Sequence, residues 1–138
     1  RYEIHLENYC KVSAIEANTL LEMAMRGILP AVARYTGDLA KGMAHKQEAD
    51  LAGFCRIEDY LIRQLSFQGG QLLDVCQSLT KALEDAPAAA SGIDAARYYR
   101  DEVGPRTQKA GELISQLESL VDAKAWPYPP YADILFSV

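Results

Sequence analysis

The chain has 138 residues, 49% of them hydrophobic and 24% charged, a composition typical of one globular domain with one core. Fourteen Lys and Arg against nineteen Asp and Glu give a net charge of −5, which disfavours nucleic acid as a partner because phosphate would be repelled. No apolar run approaches the ~20 residues that span a bilayer, and no signal-peptide pattern is visible. These features argue against a membrane-spanning protein and predict a cytoplasmic one.

The cysteines bear on the redox state of the protein, and the first residue bears on whether the chain is part of a longer protein. Cys10, Cys55 and Cys76 are an odd number, so they cannot all pair internally. Each lies in a predicted helical stretch near its apolar face, which predicts buried, reduced thiols. No closely spaced cysteine pair points to a metal site. Because the chain opens with Arg1 and is periodic almost at once, we expect a piece of a longer protein.

The stretch from Leu21 to Leu39 sets the expected architecture. Its apolar residues fall three and four positions apart, at Leu21, Met25, Ile28, Val32, Tyr35 and Leu39. This spacing predicts a helix that packs one face against other helices. We expect the helix to run from Tyr2 to about Met43, and the residues that lead into the same face are Ile4, Val12 and Ile15. Pro30 predicts a kink near Arg26 and Gly27, because proline lacks an N–H and clashes with the carbonyl four residues back.

Two further helices are expected. The second runs from Asp50, a candidate N-cap, to about Asp85. Its predicted apolar face comprises Leu51, Phe54, Ile57, Leu61, Leu65, Leu72, Val75, Leu79 and Leu83. The third runs from near Ser91 to about Ala123, and Pro105 predicts a second kink in it. Its predicted stripe comprises Ile93, Ala96, Tyr99, Val103, Ala110, Leu113, Leu117 and Leu120. The fold class predicted is all-α, an antiparallel up-down-up bundle of three long helices forming a single domain over residues 1–138.

The last residues, 125–138, form a proline-stiffened aromatic tail. Pro127, Pro129 and Pro130 cannot continue a helix and predict an extended path. The candidate packing or partner-contact residues are Trp126, Tyr128, Tyr131, Leu135 and Phe136. Left free, they would expose a substantial apolar patch. The tail therefore either folds back over the groove between the three helices or docks on another domain or subunit, and both alternatives stand.

Four glycines suggest a close approach of the helices. Counting residues from the two turns puts Gly27, Gly69, Gly70 and Gly104 at about the same height. One hypothesis is a waist where the helix axes come together at these small residues. The alternative is that Gly69 and Gly70 bend or split the second helix.

No catalytic constellation is visible in the sequence. Neither His5 nor His45 belongs to the Glu-x-x-His pairs that a di-iron carboxylate bundle requires. The sequence has no motif that places a Ser or Cys nucleophile beside a histidine. It also has no phosphate-binding glycine loop, because Gly69 and Gly70 lie within a predicted helix and do not follow a strand. His45 with Lys46 loosely matches a phosphoacceptor histidine, against the alternative of a solvated loop histidine. A histidine phosphotransfer module or a helical adaptor is therefore the alternative to a structural domain.

One aromatic-basic cluster lies in the predicted third helix. Tyr98, Tyr99 and Arg100 precede two acidic residues. They form either a recognition patch or a core tyrosine, Tyr99, beside an amphipathic boundary residue, Tyr98.

The tail and the opening residues carry a family resemblance. Leu120-Val121-Asp122, then Trp126-Pro127-Tyr128-Pro129 and Tyr131-Ala132-Asp133-Ile134-Leu135-Phe136, resemble the C-terminus of type III glutamine synthetases, which reads much like WPFPTYGDLLF. The start is similar to the beginning of that family's C-terminal helical domain, in Arg1-Tyr2-Glu3-Ile4 and Leu6-Glu7-Asn8-Tyr9. Two internal blocks agree, Ile28-Leu29-Pro30-Ala31-Val32 and Tyr98-Tyr99-Arg100-Asp101 with Val103 and Pro105. The chain departs from the family at Gly27, Gly104 and Pro130.

The resemblance implies a parent enzyme that joins glutamate and ammonia to make glutamine, using ATP and a divalent metal, usually magnesium. It also implies a ring-built homo-oligomer, a dodecamer of two hexameric rings. The family's metal, ATP and substrate residues lie in the preceding catalytic domain, so no catalytic, cofactor-binding or metal-binding residue is assigned in this chain. The expected partners are that catalytic domain and neighbouring subunits, and the expected work of the chain is structural.

Overall fold

The computed structural model describes residues 2–87 and 92–129, and this part of the chain is helical without a strand. The first of three long helical rods comprises α1 (Tyr2–Met23), a π-helical turn (Ala24–Ile28) and α2 (Leu29–Glu48). A short 3-10 turn (Ala52–Phe54) leads into the second rod, α3 (Arg56–Glu84). The third rod comprises α4 (Gly92–Tyr98), a second π-helical turn (Tyr99–Val103) and α5 (Gly104–Glu118). The prediction of an all-α fold is confirmed.

The helix boundaries differ from the predicted ones. The first rod continues to Glu48, beyond Met43, and the third ends at Glu118, before Ala123. Asp50 does not cap the second helix, because it adopts a φ of 66°, in the left-handed region that Asp tolerates better than most residues. This conformation turns the chain, so α3 begins six residues later, at Arg56.

Each of the two prolines inside a helical rod, Pro30 and Pro105, follows a π-helical turn. Just before Pro30, the Leu29 N–H donates to the carbonyl of Ala24, five residues back. Just before Pro105, the Gly104 N–H donates in the same way to Tyr99. The extra residue in each turn widens the helix where the proline ring would clash with the preceding turn. The structure thus has a π-helical turn at each of the two positions where the sequence predicts a kink.

The buried side chains form two hydrophobic clusters along the rods. Cluster one comprises Ala24, Ile28, Val32, Leu65, Leu72, Cys76, Ala110, Leu113, Ile114, Leu117 and Val121. Cluster two comprises Cys10, Ala17, Leu79, Ala82, Ala95, Ala96, Tyr99 and Val103. Each cluster draws on all three rods, so burial of these side chains holds the rods together.

The predicted apolar face of α1 is wrong. Ile4, Val12 and Ile15 are 62%, 53% and 65% exposed, whereas Cys10 and Ala17 are fully buried. Small side chains spaced seven residues apart let α1 pack closely on its neighbours, and the bulky ones point away. Other residues assigned to buried faces are also exposed, and they are Met25, Leu51, Phe54, Ile57 and Ile93.

The glycines do not share one site of close approach. Gly69 is buried, and a Cβ added to it would lie 3.6 Å from Cγ1 of Val32, so α2 and α3 approach closely there. Gly70 is exposed with nothing within 4 Å of an added Cβ, and α3 passes through both residues without a break. The four-glycine waist and a split second helix are therefore both wrong.

Cys10, Cys55 and Cys76 are buried, which confirms the predicted burial of these thiols. Burial raises the pKa of the Cys10 and Cys76 thiols, because the charged thiolate would be poorly solvated there. Both thiols act as small apolar core groups.

A buried carboxylate fastens the end of the first rod to the start of the second. Glu58 is 8% exposed and pairs with the ammonium of Lys46 on α2. The same ammonium donates to the carbonyl oxygen of Phe54 at 3.1 Å. The hydrogen bond from Lys46 holds the pKa of Glu58 below its ordinary value.

This pair predicts a loss of stability in acid. A carboxyl whose pKa is lowered by folding contributes stability above its unfolded pKa, and the contribution disappears as pH falls through the folded pKa. We expect Glu58→Gln to destabilise the chain near neutral pH and to have a smaller effect at about pH 3, measured by urea unfolding. Lys46→Met removes the cation that pairs with Glu58, so it should also destabilise the chain at neutral pH. An equal effect of Glu58→Gln at both pH values would contradict the role of the pair.

Candidate functional site

A turn centred on Asp122 follows the end of α5. The Leu120 and Val121 N–H groups donate to the carbonyl of Leu117 at 3.1 and 3.0 Å. The carbonyl of Asp122 then accepts the Ala125 and Trp126 N–H groups at 2.8 and 3.2 Å. The Asp122 side chain accepts the Lys124 N–H at 3.0 Å. These bonds satisfy the backbone at the helix end and set the direction in which the tail departs.

The described part of the tail packs on the rods. Ala125, Trp126 and Tyr128 are partly buried against cluster one. Trp126 and Tyr128 also border a cleft of about 280 Å³ whose other walls are Glu118 and Ala123. Each aromatic ring thus covers apolar surface while part of it stays in contact with solvent.

Tyr128 lies directly on Gly27, in the first π-helical turn. A Cβ added to Gly27 would lie 2.6 Å from Cε2 and 2.7 Å from Cζ of the Tyr128 ring. No other residue type leaves room for the ring at this distance. Gly27, near which the sequence predicts a kink, is therefore the residue on which the tail packs.

The predicted contact residues divide between two parts of the chain. Trp126 and Tyr128 are brought together on cluster one. Tyr131, Leu135 and Phe136 lie outside the described residues. Their contacts, and the choice between fold-back and docking for that segment, remain predictions.

The aromatic-basic cluster of the third rod is mainly structural. Tyr99 is buried in cluster two, and the Tyr98 hydroxyl donates to the carbonyl of Ala82 at 2.6 Å. Arg100 is exposed and donates to both carboxylate oxygens of Asp101, at 2.8 and 3.1 Å. This ion pair lowers the pKa of Asp101 and raises that of Arg100. The core reading of Tyr99 is correct.

A polar clamp joins α5 to α3. Arg106 donates to the Ser78 hydroxyl at 2.8 Å and to the carbonyl and carboxylate oxygens of Glu102 at 2.7 and 2.9 Å. It borders a groove of about 530 Å³ that also contains Lys81 and Asp85, an ion pair at 3.4 Å. The groove contains charges of both signs, and the bond from Arg106 to Ser78 joins the second and third rods.

His45, the candidate phosphoacceptor, lies at the exposed end of a helix. His45 is exposed in the last turn of α2 and its carbonyl accepts the Ala49 N–H at 3.1 Å. Across residues 2–87 and 92–129, no group of three or more His, Cys, Asp or Glu is arranged to hold a metal ion. In the same ranges, no helix is long and apolar enough to cross a membrane.

Sequence reasoning missed an exposed apolar surface at the start of α3. We call Phe54, Ile57, Tyr60 and Phe67 the α3 patch; these side chains are 71%, 71%, 54% and 66% exposed. The signal was present in part, because Ile57, Tyr60 and Phe67 lie on one side of the helix, with the polar Gln64 between the last two. We likewise call Ile4, Val12 and Ile15 the α1 face.

The comparisons with known proteins agree with the resemblance. A family model described as the glutamine synthetase C-terminal domain matches residues 1–47. A glutamine synthetase of Butyrivibrio fibrisolvens is 27% identical over 138 residues, which cover 100% of this chain and 20% of the relative. A glutamine synthetase of Bacteroides fragilis (strain YCH46) is 25% identical over 143 residues, 99% of this chain and 19% of the relative.

A third relative bears on the type of enzyme. The type-3 glutamine synthetase of Dictyostelium discoideum is 25% identical over 140 residues, 99% of this chain and 19% of the relative. The chain spans about a fifth of the length of these curated relatives. No solved structure matches it. The resemblance inferred from the sequence is thus confirmed: residues 1–47 are similar to the glutamine synthetase C-terminal domain, and the whole chain is similar to glutamine synthetases, one of which is named as type-3.

Proposed function

We propose that this chain is the helical C-terminal domain of a type III glutamine synthetase and that its own role is structural. The observation that carries the proposal is the match to glutamine synthetases along 100% of the chain. In this proposal the parent polypeptide makes glutamine from glutamate and ammonia in the cytoplasm, with hydrolysis of ATP and a divalent metal, usually magnesium. ATP, metal and substrate bind in the part of the parent that precedes Arg1, and the domain by itself is inactive.

The proposed domain covers residues 1–138 as one antiparallel up-down-up bundle. The two clusters support this arrangement. Cluster two joins Cys10 of the first rod to Leu79 of the second, and cluster one joins Val32 of the first rod to Leu65 of the second. Residue numbers thus increase along the first rod where they decrease along the second, as expected for antiparallel neighbours.

The proposed work of the domain is to brace the catalytic domain of its own chain and to contact neighbouring subunits of a homo-oligomer, a dodecamer by family resemblance. Two exposed apolar surfaces support this role, the α1 face and the α3 patch. Exposed apolar patches on a protein surface mark sites of interaction. The tail adds a third contact, within the domain, through Trp126 and Tyr128.

Deletion of the tail tests the structural role. Removing residues 126–138 from the parent enzyme strips Trp126 and Tyr128 from cluster one, so we expect a lower unfolding temperature and a smaller oligomer. Lys124→Ala, at an exposed position just before the tail, is the matched control and should leave both unchanged. Unchanged oligomer size and thermal stability of the deleted enzyme would refute the role.

A further inference from the structure

We propose that the cleft beside Trp126 binds an arginine side chain, presented by the protein surface that this domain contacts in its parent enzyme. The inference rests on the proposed function and deepens it, because it names the chemistry of one contact. We call the cleft bordered by Glu118, Ala123, Trp126 and Tyr128 the tail cleft; its volume is about 280 Å³. Pockets for drug-sized ligands measure about 300–1,000 Å³, so the tail cleft suits one side chain better than a whole ligand.

The walls of the tail cleft favour a positive charge. Trp126 and Tyr128 supply two aromatic rings, whose faces carry the negative end of the ring quadrupole and attract cations. Glu118 supplies a carboxylate, a group that is negatively charged near neutral pH. The described residues that line the cleft include no Lys, Arg or His. The cleft thus combines two aromatic rings with one anion.

The end of α5 adds to this preference. Glu118 is the last residue of α5, a helix of 15 residues. The aligned peptide dipoles of a helix place partial negative charge at its C-terminus, where a cation is stabilised. The side chain and the backbone at this point therefore favour the same kind of occupant.

Two basic residues lie close to the tail cleft, and neither lines it. Lys124 is exposed in the turn that follows α5. Arg26 belongs to the first π-helical turn, and its guanidinium lies 3.9 Å from the Glu22 carboxylate of the same rod. Residues 118–128 contain Glu118 and Asp122 against Lys124, which gives this segment a net charge of −1. The local charge is thus complementary to a cation from outside the domain.

The aromatic walls are held in place before a partner arrives. Tyr128 packs on Gly27, and the Trp126 N–H donates to the carbonyl of Asp122 at 3.2 Å. Both rings are partly buried against cluster one. A cleft whose walls are already fixed loses little conformational freedom on binding, which favours a contact as small as one side chain.

Arginine fits these walls better than lysine does. The guanidinium is planar and weakly hydrated, so it stacks on an aromatic ring while it donates two hydrogen bonds to one carboxylate. The lysine ammonium is a compact, strongly hydrated charge, and it gives up more solvation to enter the same site. The occupant that matches both the rings and the carboxylate is therefore an arginine.

Binding of N-acetyl-arginine amide to the 138-residue chain tests the inference, and N-acetyl-citrulline amide is the neutral probe of nearly the same shape. The readout is the indole N–H signal of Trp126, the only tryptophan, in proton–nitrogen correlation spectra at constant ionic strength. We expect the arginine probe to shift this signal saturably, with a dissociation constant on the order of 10 mM. The citrulline probe should leave the signal in place.

Two matched variants test the role of the carboxylate. Glu118→Gln removes the charge and keeps the size of the side chain, so it should weaken binding of the arginine probe by about fivefold or more. Glu112→Gln, the same change at an exposed position of α5, should leave binding unchanged. If circular dichroism shows that Glu118→Gln is unfolded, Ala123→Arg takes its place. Its new guanidinium, on an exposed wall of the cleft, should abolish binding of the probe.

Three results would overturn the inference. They are the absence of a saturable shift up to about 100 mM probe, equal binding of the two probes, and equal effects of the two glutamate variants.

The parent enzyme identifies the source of the arginine. If a protein surface supplies it, Glu118→Gln should lower the unfolding temperature of the parent more than that of the isolated chain. An equal change in both would exclude a protein surface and overturn the proposal. Failure of the proposed function is seen separately, as the absence of glutamine formation by the parent, which does not depend on either probe.

Discussion

Replacing Leu72 by alanine is expected to lower the free energy of unfolding by about 3 kcal/mol. The Leu72 side chain is fully buried in cluster one, where it packs with residues of all three rods. Removing its three terminal carbons forfeits their burial and leaves a cavity that rigid helices cannot fully close. Urea unfolding followed by circular dichroism at 222 nm measures the effect.

The adjacent residue supplies the control for this prediction. Leu73 has the same side chain in the same helix but is 38% exposed. Because it loses less buried surface and leaves no closed cavity, Leu73→Ala should cost less than about 1 kcal/mol. Equal losses for the two variants would show that α3 is rotated from the described orientation.

Replacing Gly27 by leucine is expected to release the tail from the first rod. The new Cβ would overlap the Tyr128 ring, whose Cζ lies 2.7 Å from that position, so the ring has to leave. We expect a loss of about 2 kcal/mol, even though leucine favours a helix more than glycine does. Trp126 is the only tryptophan of the chain, so its fluorescence reports the tail selectively and should shift to longer wavelength.

Gly70→Leu is the matched control for Gly27→Leu. Gly70 lies inside α3 and a Cβ there meets nothing within 4 Å. The substitution should therefore stabilise the chain by about 0.5–1 kcal/mol, through helix propensity alone, with unchanged Trp126 fluorescence. If Gly27→Leu also stabilised the chain and left Trp126 unchanged, the packing of Tyr128 on Gly27 would be wrong.

The long helices and the effect of the prolines could be predicted from the sequence. Heptad-like spacing through Ile28 and Val32 identifies a core-facing helix, and Pro30 and Pro105 force a local change of helical geometry. The form of that change could not be predicted, because a kink and a π-helical turn both relieve the proline clash. At the start of the first π-helical turn, Ala24 is buried and Met25 is 44% exposed, so the predicted buried position is off by one residue there.

The errors at Ile15 and Ile57 share a physical cause. A pattern of bulky apolar residues marks a face that avoids water, whether the domain or a partner covers it. In α1 the buried face instead consists of small residues such as Ala17, which allow close packing. A search for periodic bulky apolar residues does not detect such a face. The contact of Tyr128 with Gly27 was likewise beyond prediction, since it joins residues about a hundred positions apart.

The most direct test of the account is the size and activity of the native polypeptide that carries this sequence. The chain is 15.2 kDa and spans about a fifth of its relatives, so an antibody to it should detect a species several times larger in a lysate of the source cell. That species, once purified, should form glutamine from glutamate and ammonia in the presence of ATP and magnesium. A 15 kDa species alone, or a larger one without this activity, would contradict the assignment to a glutamine synthetase.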